Sequence, residues 1–262
     1  MTNSAQQAVR AGRMNLWRLE WLRMIRTPRA LALGAIYIAL GLIEPVATKY
    51  QNQILGRVGR GVRIYLPPPT PPDALSGYIA QVSTIGLIVV VAIAAGAFSF
   101  DARHGLATFL RTRVASIWQL VSPRFAVNAA AAAIAYLLGT LGAWYETDLL
   151  IGSLPVAWML AGILCGAVYL AFAVAVTALA ASMARSTVAT AGIALAVLLA
   201  LPIAGTFHAI DNWLPSALVN DPVALLGGAH HLPHYLPALG VSIAASAVAL
   251  TIAVRQLRTR EI

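Results

Sequence analysis

Charge is scarce in this chain, and its scarcity excludes a water-soluble globular protein. Of the 262 residues, 10% are Asp, Glu, Lys or Arg and 60% are hydrophobic, and the mean hydropathy is +0.78. A soluble domain carries about 25% charged residues, because its surface must be hydrated. A chain with so few charges needs a non-aqueous surrounding, which indicates a membrane protein.

Cysteine and catalytic motifs are also missing. Cys165 is the single cysteine, so an intrachain disulfide is excluded, and its place in an apolar run is typical of a small packing residue. The chain has no GxxxxGK[ST] phosphate loop, no HExxH zinc motif and no GxSxG nucleophile elbow. We therefore do not expect an enzyme, and energy for any uphill transport would come from another protein.

Acidic side chains are nearly absent from the apolar runs, with Glu44 as the exception. A carboxylate at membrane depth is costly unless it faces a polar cavity or lies near the interface. Because Pro45 and Lys49 follow, we favour a position at the outer end of its helix, paired with Lys49. The alternative is a place on a substrate path, for which the milder polar candidates are Asn128, Tyr136 and Tyr169. These three could equally form hydrogen bonds between helices.

What the chain does have is six apolar runs, each of a length that crosses a bilayer, about 17 to 25 residues or more. A basic amphipathic stretch at 14–28 precedes them and predicts a helix lying in the membrane interface, either as a lipid anchor or as a contact for a partner. We predict an all-α polytopic membrane protein, a single transmembrane domain over 1–262. The predicted spans are 30–47, 78–100, 125–145, 154–183, 187–207 and 235–254.

The arginines predict the orientation of these spans. Fourteen arginines fall on the side of the two termini, whereas Lys49, Arg57, Arg60 and Arg63 are the only basic residues on the other side. Basic residues near span ends are retained in the cytoplasm, so both termini are predicted to be cytoplasmic. The net charge of +9 is explained by this topology and by anionic membrane lipid, and nucleic acid is not expected as a partner.

Three histidines form the candidate group for a metal site. His230, His231 and His234 lie in one predicted loop, and their spacing could bring two imidazoles to one metal ion. No further ligand is close in sequence, and Pro233 prevents the histidines from being presented on a regular helix. We therefore predict no metal site.

The segment 101–124, DARHGLATFLRTRVASIWQLVSPR, separates the second and third runs. Its apolar residues Phe109 and Leu110 lie beside Arg103, Arg111 and Arg113, an arrangement suited to docking on a protein surface. The alternative is an interfacial amphipathic segment without a partner.

The order of these features resembles the ABC-2 type transporter permeases, the membrane subunits of bacterial ATP-driven exporters. Asp101 stands at the acidic position of that family's loop motif and Gly105 at its glycine, with Phe109 and Leu110 at its apolar pair. Thr112 and Val114 flank the turn that follows. The sequence departs from the motif where Thr108 replaces a glutamate, Arg113 a proline and Arg124 a lysine, and the interval from Gly105 to Thr112 is shorter by one residue.

The resemblance implies a cytoplasmic coupling helix near residues 106–110 that docks on a separate nucleotide-binding ATPase subunit, which would bind ATP and Mg. This chain would carry no cofactor, and a second permease chain, identical or different, would complete the transporter. It also implies a bacterial plasma (inner) membrane protein that exports a hydrophobic or amphipathic drug-like or lipid substrate.

The alternatives are an ion-coupled secondary transporter and, less favoured, an intramembrane enzyme. The chain lacks the buried acids that the first would need and the catalytic pair within spans that the second would need. The implied docking residues are Asp101, Arg103, Gly105, Leu106, Phe109, Leu110, Arg111 and Arg113.

Overall fold

The chain is an all-α polytopic membrane protein, as predicted. A computed structural model describes residues 16–58, 67–99, 116–206, 211–220 and 235–259. In these ranges every regular element is helical, and six helices are long and apolar enough to cross a membrane. They are span 1 (Pro28–Lys49), span 2 (Pro71–Phe98), span 3 (Trp118–Leu150), span 4 (Val156–Met183), span 5 (Thr187–Ala204) and span 6 (Leu236–Thr259).

Shorter helices accompany the spans. The N-terminal helix, Leu16–Arg26, occupies most of the stretch predicted to lie in the interface. Gln51–Val58 follows span 1, and a 3₁₀ turn at Asp211–Trp213 and a helical turn at Ala217–Asn220 lie between spans 5 and 6.

Two spans begin before the apolar runs do, because polar side chains start their helices. Span 2 begins at Pro71, where Asp73 Oδ2 accepts hydrogen bonds from the backbone N–H of Thr70 (2.8 Å) and from its hydroxyl (2.6 Å). Proline in the first turn is compatible with such a start, since its missing N–H has no partner there. Span 3 begins at Trp118, whose N–H donates to Ser116 Oγ at 3.3 Å, and continues through Pro123.

Span 4 forms the centre of the bundle, since it packs against spans 2, 3, 5 and 6 and is the most buried of the helices. Span 1 packs mainly on span 3, and the N-terminal helix packs on spans 1 and 3. Spans 1 and 5 are the least buried and lie at the edge.

Spans 1 and 3 approach closely because glycine faces glycine. A Cβ atom added to Gly41 would collide with the backbone carbonyl of Gly139, and one added to Gly139 would collide with the carbonyl of Tyr37 and the hydroxyl of Tyr78. Small residues allow such backbone approach in membrane helices.

The course of the chain brings most of the described arginines to one end of the bundle, which we call the arginine-rich end. It holds the start of spans 1, 3 and 5 and the finish of spans 2, 4 and 6. The described arginines there are Arg18, Arg23, Arg26, Arg29, Arg124, Arg185, Arg255 and Arg258. Its location in the cytoplasm remains a prediction.

Candidate functional site

A buried ion pair lies at the arginine-rich end, between the N-terminal helix and span 3. Arg124 Nε donates to Glu20 Oε1 at 3.0 Å, and the two residues are 5% and 7% exposed. Arg23 lies near the same carboxylate, with Nη1 3.7 Å from Glu20 Oε1. The pair connects residues that are 104 positions apart in the chain.

The same guanidinium reaches a third helix. Arg124 Nη1 donates to the backbone carbonyl of Ala97 at 2.9 Å, and this carbonyl lies in the last turn of span 2. Carbonyls in the last turn of a helix have no intrahelical donor, so a cation is a favourable partner there. Arg124 therefore connects the N-terminal helix, the end of span 2 and the first part of span 3. We call Glu20, Arg124 and the Ala97 carbonyl the arginine junction.

The arginine junction lies where the chain enters and leaves the segment 101–124. Ala97 precedes this segment and Arg124 is its last residue. Arg124 therefore joins both flanks of this segment to each other, and through Glu20 it joins them to the N-terminal helix. Because the partners are buried, breaking the pair would leave an uncompensated charge in a low-dielectric surrounding.

The residues predicted to dock on an ATPase lie outside the described part of the chain. Asp101, Arg103, Gly105, Leu106, Phe109, Leu110, Arg111 and Arg113 all fall between residues 99 and 116. Of the segment 101–124, the structure describes residues 116–124, and of the motif positions only Arg124 is among them. The coupling helix therefore stays a prediction.

Asn128 lies one helical turn beyond Arg124 in span 3 and is 5% exposed. Its side-chain N–H donates to the Arg124 carbonyl at 2.8 Å, while its Oδ1 has no hydrogen-bond partner among the described residues. A buried acceptor without a partner is uncommon. Asn128 Oδ1 could therefore accept a hydrogen bond from an additional donor beside the arginine junction.

Tyr136 and Tyr169 lie in the packed interior of the bundle. The Tyr136 ring stacks on Tyr78 of span 2 and meets Tyr37 of span 1 edge to face, each with centroids 6.4 Å apart. Gly166 of span 4 lies against the same ring, with no room for a Cβ atom. Tyr169 packs beside Phe172 at 6.5 Å. The Tyr136 ring thus joins span 3 to spans 1, 2 and 4, whereas the ring contact of Tyr169 lies within span 4; a place on a substrate path stays a prediction for both.

A π-helical turn, Val82–Gly86, interrupts span 2 beside this cluster. Its Gly86 lies against the ring and hydroxyl of Tyr37, and that hydroxyl is buried without a hydrogen-bond partner among the residues described. Tyr78, by contrast, donates to the Tyr136 carbonyl at 3.4 Å. Such π turns occur often at functional sites, and no local sequence pattern predicts this one.

Glu44 is partly exposed near the end of span 1 that is opposite the arginine-rich end. The expected ion pair between Glu44 and Lys49 is absent, although both residues are described. Lys49 instead places Nζ 5.9 Å from the centre of the Tyr50 ring. Glu44 Oε2 lies close to Gly77 of span 2, 3.2 Å from where a Cβ would be. The polar candidates therefore do not converge: Asn128 lies by the arginine junction, the tyrosines in the interior and Glu44 near the far end.

Sequence reasoning missed Glu20, and one signal could have indicated it. It is the only acid in the first 43 residues, on a short helix that also carries Arg18, Arg23 and Arg26. With Met24, one turn later, it forms the buried side of that helix, whereas Trp17, Trp21 and Ile25 are exposed.

A metal site finds no support in the described ranges, where no group of three or more His, Cys, Asp or Glu residues could hold an ion. His230, His231 and His234 lie outside those ranges. Comparison with protein-family models and with curated proteins gave no match for this chain.

Proposed function

We propose that this chain is the membrane subunit of an ATP-driven ABC-2 type exporter. The segment 101–124 would dock on a separate ATPase subunit, which binds ATP and Mg, and a second permease chain would complete the transport path. The substrate would be a hydrophobic or amphipathic molecule, because the spans carry few charges. The membrane would be the bacterial plasma membrane, with both termini cytoplasmic.

The observation that carries the proposal is the arginine junction. A coupling loop must pass a movement of the ATPase to the membrane helices, and the contacts at the base of this loop are suited to do so. Arg124 connects the two spans that flank the loop and holds the N-terminal helix through Glu20. When two ATPase subunits close on ATP, the paired loops would approach each other and the bundles would change between inward and outward access.

Co-purification tests the proposal directly. The full-length chain is extracted gently from its native membrane and the proteins that accompany it are identified by mass spectrometry. We expect a soluble ATPase bearing a phosphate loop. Repeated recovery of the chain without an ATPase would overturn the proposal and favour an ion-coupled transporter.

A variant pair locates the docking surface. Phe109→Ala should reduce recovery of the ATPase, because a buried aromatic anchor typically contributes about 2 kcal/mol or more to an interface. Leu149→Ala, which alters a 67% exposed side chain at the far end of span 3, should leave recovery unchanged. Equal recovery with both variants would contradict docking through the segment 101–124.

A further inference from the structure

An apolar groove opens on the side of the bundle, between the N-terminal helix and spans 1 and 3. Its volume is about 190 Å³, comparable with a cavity of about 150 Å³ that holds a benzene-sized ligand. Trp21 and Ile25 form one wall and Ile134 and Leu138 the other, and these four are 38–54% exposed. The groove is thus formed by three helices and accessible from outside.

The floor of the groove is buried and apolar. Met24, Leu33 and Ala135 line it and are 4%, 2% and 3% exposed. No lining side chain is charged, and the indole N–H of Trp21 is the single polar side-chain group among them. Such a surface offers an occupant dispersion contacts and almost no hydrogen bonds, which suits a hydrocarbon chain.

Gly34 leaves the groove open. A Cβ atom at Gly34 would have no heavy atom within 4 Å, although the residue lines the groove. Gly34 lies about 9 Å along the helix axis from Pro28, and the lining of span 3 from Ala131 to Leu138 extends about 10 Å in the same direction. The groove therefore begins near the interface and runs along the spans, as an acyl chain of the nearer leaflet does.

Positive charge flanks the mouth of the groove. On the N-terminal helix, Arg18 precedes Trp21 by three residues, Arg26 directly follows Ile25, and both arginines are exposed. The described residues 16–29 contain four arginines and one acid, Glu20. A basic surface beside an apolar groove complements a ligand with an anionic head and a hydrocarbon tail.

We infer that this groove is a binding site for an anionic membrane phospholipid, with one acyl chain between the N-terminal helix and spans 1 and 3 and the headgroup near Arg18 and Arg26. The inference does not depend on the transport function proposed above. Other exposed apolar side chains also lie near arginines, such as Met183 and Val188 beside Arg185, and the groove differs from them by its buried floor.

Photolabelling tests the inference. The full-length chain is reconstituted in phosphatidylcholine vesicles that contain a minority of phosphatidylglycerol with a photoreactive acyl chain, and labelled peptides are located by mass spectrometry. We expect label concentrated on the N-terminal helix and on the groove-lining parts of spans 1 and 3. Gly34→Leu, which fills the groove, should reduce this label severalfold.

The matched control is Gly192→Leu in span 5, since a Cβ at Gly192 also has no heavy atom within 4 Å. It should leave labelling at the groove unchanged. Ile134→Trp, at a 47% exposed wall position, provides a second blocking variant in case Gly34→Leu impairs insertion. The double variant Arg18→Gln/Arg26→Gln should weaken labelling about fivefold per arginine, and photoreactive phosphatidylcholine should show no such dependence.

Three results would overturn the inference. Label spread evenly over all lipid-facing spans and insensitive to Gly34→Leu would mean bulk lipid only. Crosslinked pairs of chains through Trp21 or Leu138 would assign the groove to a second copy. Stronger labelling after deletion of residues 2–13 would assign it to the chain's own N-terminus.

Discussion

Glu20 and Arg124 depend on each other, because each is a buried charge whose main described partner is the other. Arg124→Leu leaves the Glu20 carboxylate buried without its principal cation, and we expect a loss of about 3–5 kcal/mol in the free energy of unfolding in detergent. Glu20→Met should cost a similar amount. The double variant removes both desolvation penalties, so it should recover much of the loss.

The measurement is a double-mutant cycle from denaturant unfolding of the four proteins, with Arg26→Gln as the control. Arg26 is exposed, so its substitution should change stability by less than about 0.5 kcal/mol. Additive effects of the two single substitutions would show that the ion pair contributes no coupling energy.

The sequence predicts the surroundings of the six spans better than those of the N-terminal helix. The six spans could be predicted because length and apolar content alone distinguish a membrane helix. The side of the N-terminal helix that faces the bundle could not, because a packing surface that contains Glu20 contradicts the rule that apolar residues are buried. Its partner Arg124 lies far away in sequence, and no local pattern relates the two.

The candidate site was predictable only in part for the same reason. Tyr136 and Tyr169 could be identified as polar groups within apolar runs, but whether they line a path or pack depends on Tyr37, Tyr78 and Gly166 from other helices. The predicted ion pair between Glu44 and Lys49 is absent for a related reason. Sequence spacing permitted the pair, whereas the structure places Lys49 near the Tyr50 ring.

The glycine contact between spans 1 and 3 leads to a prediction at the scale of elements. Gly41→Ala places a methyl group against the carbonyl of Gly139, and Gly139→Ala places one against that of Tyr37. Backbone cannot move aside as a side chain can, so each variant should lose about 1–3 kcal/mol of stability.

Gly192→Ala and Gly240→Ala are the controls, because both positions are open. They should be neutral or gain up to about 1 kcal/mol, since alanine favours the helix. The measurement is thermal unfolding of the four variants in detergent, monitored by size-exclusion chromatography. Equal loss in all four variants would contradict a specific contact between spans 1 and 3.

At the scale of the whole molecule, the uneven distribution of arginine is the feature that relates the bundle to its membrane. Most of the described arginines lie at one end, and Lys49 and Glu44 lie at or near the other. The same asymmetry underlies both proposals, because a cytoplasmic ATPase and a lipid headgroup of the inner leaflet would meet this chain at the arginine-rich end.

The side on which that end lies can be measured with single cysteines. Cys165 is the chain's only cysteine, so Cys165→Ala provides a background without thiols. Tyr50→Cys and Thr259→Cys then place one thiol at an exposed position of each end. Basic residues beside spans are retained in the cytoplasm, so a membrane-impermeant maleimide should label intact cells at position 50 and reach position 259 only after permeabilisation. The reverse pattern would place the arginine-rich end outside, where no cytoplasmic ATPase could dock on it, and labelling of both positions in intact cells would contradict the six-span topology itself.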